Sequence, residues 1–208
     1  MATQTATRRP QLQRGILLEY LTIGWNIIEG FVAVASGAVS GSIALVGFGV
    51  DSFIETFSGG ILLWRLGAED RGHDAEKAER RALKLVGISF LLLAAYIAFD
   101  SAKSLLEREA PEQSIAGIAI AVLSLIVMPW LAHAKHRTAG HLSSAALHAD
   151  SRQSSLCAWL SAILLNGLLL NALLGWWWAD PVAALAMVPI IANEGRDALK
   201  GQACSECR

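Results

Sequence analysis

Residues 42–64 read SIALVGFGVDSFIETFSGGILLW, from Ser42 to Trp64. A helix needs about 20 mostly apolar residues to cross a bilayer, and this run is long enough. Yet it carries Asp51 and Glu55 near its middle. A charged side chain at bilayer depth costs about 2.5–3.5 kcal/mol on insertion scales, so two of them in one run need a purpose. Asp51 and Glu55 stand four residues apart, one helical turn, and therefore share a face. That face must look into a protein interior rather than into lipid.

Working outward from this stretch, five further apolar runs fall at 15–38, 83–106, 114–133, 144–174 and 181–199. Short breaks separate them at Gly37–Gly41, Gly67–Arg80, Glu107–Glu112, Ala134–Ser143 and Trp176–Asp180. The sixth run opens Asp180-Pro181, where Asp is expected to cap the helix's own free amides and Pro suits the first helical position. Trp176, Trp177 and Trp178 suit an aromatic anchor at the membrane surface. The composition agrees. Of 208 residues, 54% are hydrophobic and 17% charged, against about 25% charged in a soluble domain. Mean hydropathy is +0.45. These values exclude a disordered chain and argue against a soluble enzyme. The net charge of -1 gives no reason to expect a nucleic-acid partner. Three Cys provide no disulfide framework.

The fold class that follows is all-α, an integral membrane bundle of six transmembrane helices. An even number of crossings puts both termini on one side, and the basic residues choose the side. With a cytoplasmic N-terminus, the inner segments hold Arg8, Arg9 and Arg14, then Arg65, Arg71, Lys77, Arg80, Arg81 and Lys84. They also hold Lys135 and Arg137, and finally Arg196, Lys200 and Arg208. Only Lys103 and Arg108 fall outside, and Arg152 lies within the fifth run. The expected organisation is a cytoplasmic arm over 1–14, a six-helix domain over 15–199 and a short cytoplasmic tail over 200–208. The first run has the basic lead-in of a signal peptide, and Ala33-Val34-Ala35 fits a cleavage site. Glu19, Asn26 and Glu29 interrupt its apolar stretch, so it is read as a retained helix.

The polar residues inside the runs locate a site. In the first helix Glu19, Thr22, Asn26 and Glu29 recur at intervals of three and four, a single stripe expected to line a pathway, with satisfied polar packing as the competing reading. The fifth helix carries Asp150, Gln153, Ser154 and Cys157 close to one face. The second helix runs inward, placing Asp51 about nine residues, or ~14 Å, from the outer boundary. The fifth runs outward, placing Cys157 about thirteen residues, or ~20 Å, from the inner one. In a core about 30 Å thick these depths overlap. Asp51, Glu55, Gln153 and Cys157 can therefore converge on one small ion, as a four-coordinate site.

Two carboxylates and a thiolate suit a divalent cation, and thiolate favours Zn²⁺, Cd²⁺ or Co²⁺ over Mg²⁺ and Ca²⁺. Gln153 either binds weakly or orients a carboxylate. Asp150 either supplies a further ligand, guards the cytoplasmic entrance or caps its helix. The competing readings are an interhelical ion pair for Asp51 and Glu55, with Arg152 as a partner, and simple packing for Cys157. His133, His136, His141 and His148 lie toward the cytoplasmic side, either as solvated residues or as a funnel gathering metal. Cys204-Ser-Glu-Cys207 has a metal-ligand spacing with only two ligands.

At Ser42-Ile-Ala-Leu and Asp51-Ser-Phe-Ile-Glu55 the sequence resembles the second helix of the cation diffusion facilitator (cation efflux) family. Ala149-Asp150 with the polar positions after it resembles the family's fifth helix, and Trp178-Ala-Asp-Pro-Val-Ala-Ala-Leu185 the start of its sixth. The resemblance runs through all six helices. It implies a homodimeric exporter of divalent metal driven by proton exchange, with a tetrahedral site between helices two and five. By position the family's helix-two ligands fall on Asp51 and Glu55. Its helix-five pair, usually His and Asp, falls on Gln153 and Cys157, a departure that bears on metal selectivity. No counterpart of the family's cytoplasmic C-terminal domain is read in these residues, so the expectation is a divergent short form. The expected function is secondary transport of a divalent transition metal, Zn²⁺ first, with Co²⁺ or Cd²⁺ as alternatives. The bacterial-type inner membrane is the expected location. No prosthetic group is expected, and no His-Glu-x-x-His pair or activated nucleophile marks an enzyme. The rival reading is a non-transporting membrane scaffold or metal-binding protein derived from a transporter fold.

Overall fold

The computed structural model describes residues 2–68, 75–108, 111–142 and 145–200. Within them are six helices: α1 (Ala2–Ser40), α2 (Ile43–Ala68), α3 (Ala75–Glu107), α4 (Ile115–Leu142), α5 (Ala145–Leu174) and α6 (Ala179–Lys200). Every run read from the sequence is a helix, and no strand occurs among the described residues. In hydrocarbon a helix satisfies its own backbone polar groups, which is why long apolar runs adopt it. Five helices contain stretches long and apolar enough to cross a membrane: Pro10–Ser40, Ile43–Trp64, Lys84–Glu107, Ile115–Leu142 and Asp150–Leu174. The sixth, α6, carries Asp180, Glu194, Arg196 and Asp197, which lower its apolar content. Its packing against α3, α5 and α2 nonetheless makes it part of the bundle.

Two boundaries move relative to the sequence expectation. The α1 helix begins at Ala2, so the expected N-terminal arm continues it rather than preceding it. The α4 helix extends to Leu142, well past the break expected from Ala134.

Sequential neighbours form tight antiparallel pairs, α1 with α2 and α4 with α5, while α3 pairs with α6. The α2 helix touches α1, α3, α5 and α6 and is the axis of the molecule. A core of buried side chains, among them Leu45, Phe48, Ile97, Met128, Leu164, Met187 and Ile191, joins all of these contacts. A smaller apolar cluster of Leu62, Ala139 and Leu147, backed by Leu12, Ile16 and Leu142, closes the end assigned to the cytoplasm. Lipid-facing positions are apolar and exposed, as with Phe31, Leu92, Phe99, Ile126 and Trp159.

Close approach of backbones decides one pairing. A Cβ added at Gly87 of α3 would lie 2.8 Å from the carbonyl oxygen of Gly195, and one at Gly195 would lie 2.9 Å from that of Gly87. Two facing glycines thus let α3 and α6 meet backbone to backbone, the small-residue contact that holds helices together where lipid supplies no hydrophobic drive.

The end of the bundle where α1 turns into α2 is pinned by side chains. Gly41, at φ 71°, turns the chain out of α1, and the Ser42 hydroxyl accepts from the Leu45 amide at 3.1 Å to cap α2. Asp180, expected to cap its own helix, instead serves its neighbour. It accepts from the Ser42 hydroxyl and from the amides of Ile43 at 3.0 Å and Ala44 at 3.4 Å. The first turn of α2 has free amides that need acceptors, and a buried carboxylate from α6 supplies one.

Candidate metal centre between α2 and α5

Asp51 and Glu55 of α2 and Gln153 and Cys157 of α5 line one cavity. The two antiparallel helices bring them together because each pair is one turn apart and the depths match. Phe90 of α3, Leu156 and Leu160 of α5, and Ile190 and Ile191 of α6 complete the wall. The space is about 10 Å³, on the scale of a single water molecule. Asp51, Glu55 and Cys157 are buried, at 6%, 3% and 2% exposure. Glu55 Oε1 accepts from the Ser154 hydroxyl at 3.2 Å, while its Oε2 is buried with no partner. A bare carboxylate oxygen in an apolar setting is costly and is available to a cation. Among the described residues, no three His, Cys, Asp or Glu side chains stand close enough together to hold a metal ion as they are. The helices gather the donors without drawing them into a closed cage.

One ionisable residue of the cavity is absent from the sequence reading. Glu194 of α6 joins the lining and lies within electrostatic reach of Arg152 and Asp197. It follows Ile190 and Ile191 by four and three residues, so helical periodicity places it on their face. With Glu194 the cavity has three carboxylates and a thiol, and none of the described residues in its wall is basic.

Asp150 is elsewhere. It forms an ion pair with the ammonium of Lys135, and Lys135 also stands 3.0 Å from Glu19 Oε2. Lys135 is completely buried, and Glu19 and Asp150 are 1% and 7% exposed. Lys135, which the sequence places in a cytoplasmic loop, continues instead the buried α4 face of Ser124, Met128, Leu131 and Thr138. That spacing of fours and threes is the signal in the sequence that could have found it.

The polar stripe of α1 is buried throughout: Glu19, Thr22, Asn26 and Glu29 are at most 2% exposed. Glu29 accepts from Ser52 at 2.9 Å, from the Trp25 indole at 3.2 Å and from the Cys157 thiol at 3.8 Å. Cys157 therefore stands between the cavity and the α1 stripe. Both amide atoms of Asn26 are buried without a hydrogen-bond partner. The rings of His136 and His148 meet with centroids 4.5 Å apart, and His133 and His141 are exposed. Cys204 and Cys207 lie outside the described residues.

Residues 20–202 match the family described as the cation efflux transmembrane domain. The chain belongs to the cation efflux family, a class of multi-pass membrane transporters. Among curated relatives, an uncharacterized transporter of Synechocystis is 27% identical over 173 residues, covering 80% of this chain and 56% of the relative. The cation-efflux pump FieF of Shewanella oneidensis is 25% identical over 164 residues, covering 76% of this chain and 55% of the pump. Transmembrane protein 163 of Xenopus laevis is 27% identical over 142 residues, covering 68% and 50%. The chain spans about half the length of the curated relatives it matches.

Proposed function

We propose that this protein carries a divalent transition-metal cation out of the cytoplasm through the cavity between α2 and α5, in exchange for protons. The observation that carries the reading is the convergence of Asp51, Glu55, Gln153 and Cys157 on one ion-sized space. Asp51, Glu55 and Cys157 are the ligands, Gln153 completes or orients the shell, and Glu194 draws the cation in from the α6 side. The thiol selects Zn²⁺, Cd²⁺ or Co²⁺ over harder ions. Carboxylates and thiol must lose their protons to bind metal, so loading releases protons and protonation from the opposite side releases the metal. The carrier works as a homodimer in a bacterial-type plasma membrane. The cytoplasmic orientation of both termini comes from the distribution of basic residues.

The test is flux in liposomes holding purified protein, with internal metal and pH followed together for Zn²⁺, Co²⁺, Cd²⁺ and Mn²⁺. The expected result is metal movement coupled to opposite proton movement. D51A abolishes it, and C157S shifts preference away from Cd²⁺ and Zn²⁺ toward Mn²⁺. Folded protein that moves none of the four ions would return the reading to a membrane scaffold.

A further inference from the structure

A fully buried lysine is unusual in the path of a cation carrier, because its own charge competes for the acids that attract the substrate. Lys135 meets two carboxylates, Asp150 of α5 and Glu19 of α1. It also donates to the Ser154 hydroxyl at 3.5 Å, the long end of the hydrogen-bond range. Ser154, exposed not at all, donates in turn to Glu55 Oε1 at 3.2 Å. This chain of donors runs from α4 through α5 to α2 and ends on a candidate ligand. It leaves Glu55 Oε2, the atom without a partner, as the one free to meet an ion. The hydroxyl of Ser154 has one proton to give. With the lysine donating to its oxygen, that proton is committed to Glu55.

We infer that Lys135 is a tethered internal counter-ion with two effects on the carrier. Through Ser154 it fixes which oxygen of Glu55 faces the cavity. By pairing with Glu19 and Asp150 it withholds those carboxylates from the transported cation, so that only the cavity binds. Lys135 and Ser154 are positioning residues and touch no substrate. The inference rests on the cavity reading proposed above. Partners that orient metal ligands typically account for about 10–100-fold in metal affinity. Breaking a buried pair by removing one member leaves a costly uncompensated charge, and here two carboxylates would be left beside one vacated point.

Equilibrium dialysis of the purified full chain with Co²⁺ and Zn²⁺ separates the possibilities, using wild type, E55Q, S154A, S154T and K135M. Wild type binds about one ion at this cavity, as a space the size of one water molecule dictates. S154A weakens binding about tenfold, and S154T, which keeps the hydroxyl, restores it. K135M raises the stoichiometry to about two ions at a pH where Glu19 and Asp150 can ionise, the second taken by that pair, since buried charges are either paired or coordinate metal. Removal of a merely structural lysine would not add a bound ion. Wild-type affinity in S154A, or a single ion in folded K135M, overturns the inference while a weakened E55Q keeps the cavity reading. Wild-type affinity in E55Q overturns both. Should K135M not fold, the contrast between S154A and S154T decides.

Discussion

At Asp180 a single carboxylate holds the N-terminal ends of α2 and α6 together. Its oxygens take the Ser42 hydroxyl and two amides of α2, so D180A leaves buried donors without an acceptor. Such a loss costs about 1–3 kcal/mol, and D180A should melt measurably below wild type in detergent, with D180N recovering part of the difference through its amide oxygen. An unchanged melting temperature would show that Ser42 alone caps the helix. The residues of the cavity divide by how visible they are in the sequence. Asp51 and Glu55, and Gln153 and Cys157, stand out because a polar pair at one-turn spacing inside an apolar run must turn a single face away from lipid. Glu194 does not, because Arg196 and Asp197 follow it and the cluster reads as a solvated helix end. Lys135 is hidden for a related reason: beside His133, His136 and Arg137 it looks like loop, and only the tertiary partners Glu19 and Asp150 make its burial tolerable.

At the scale of elements, all six helices are legible and their ends are less so. Hydropathy ends a run at its first charges, whereas a helix ends where its backbone stops finding partners. This is why α4 continues past Lys135 to Leu142. The partner of each helix is harder still to read. The pairing of α3 with α6 depends on Gly87 meeting Gly195, residues more than a hundred positions apart whose relation no local pattern encodes. Replacing Gly195 by Ala forces the two backbones apart at their closest point. Overpacking of this kind typically costs about 1–3 kcal/mol. G195A should therefore lower thermal stability and slow metal flux together, and a variant as stable and active as wild type would argue that α3 and α6 have room to adjust.

For the whole molecule, the cavity lies where the α2–α5 contact meets the α3–α6 pair, with Phe90 and Glu194 contributed from that pair. In the proposed mechanism metal and proton compete for the same buried acids. In proteoliposomes at fixed total metal, the concentration giving half-maximal flux should rise as pH falls, because protons hold the ligands. Dissipating the pH gradient with an ionophore should remove the driving force for accumulation. Flux indifferent to both would leave a metal carrier without proton exchange. The polar column from Glu19 to Glu29 stays inside the α1, α2, α4, α5 cluster, so these four helices form one packing group and the tightly joined α3–α6 pair another.

If the pair tilts in the proposed cycle, the hydrogen-bonded pin at Asp180 is its natural fulcrum. Glu194 lies fourteen residues farther along α6, an arm of about 21 Å at the helical rise. A tilt of about 10° around the fixed end sweeps Glu194 through about 4 Å over such an arm. In the proposed transport reading that stroke is on the scale of a metal ion, so a small rotation at the pinned end is enough to shift one wall of the cavity.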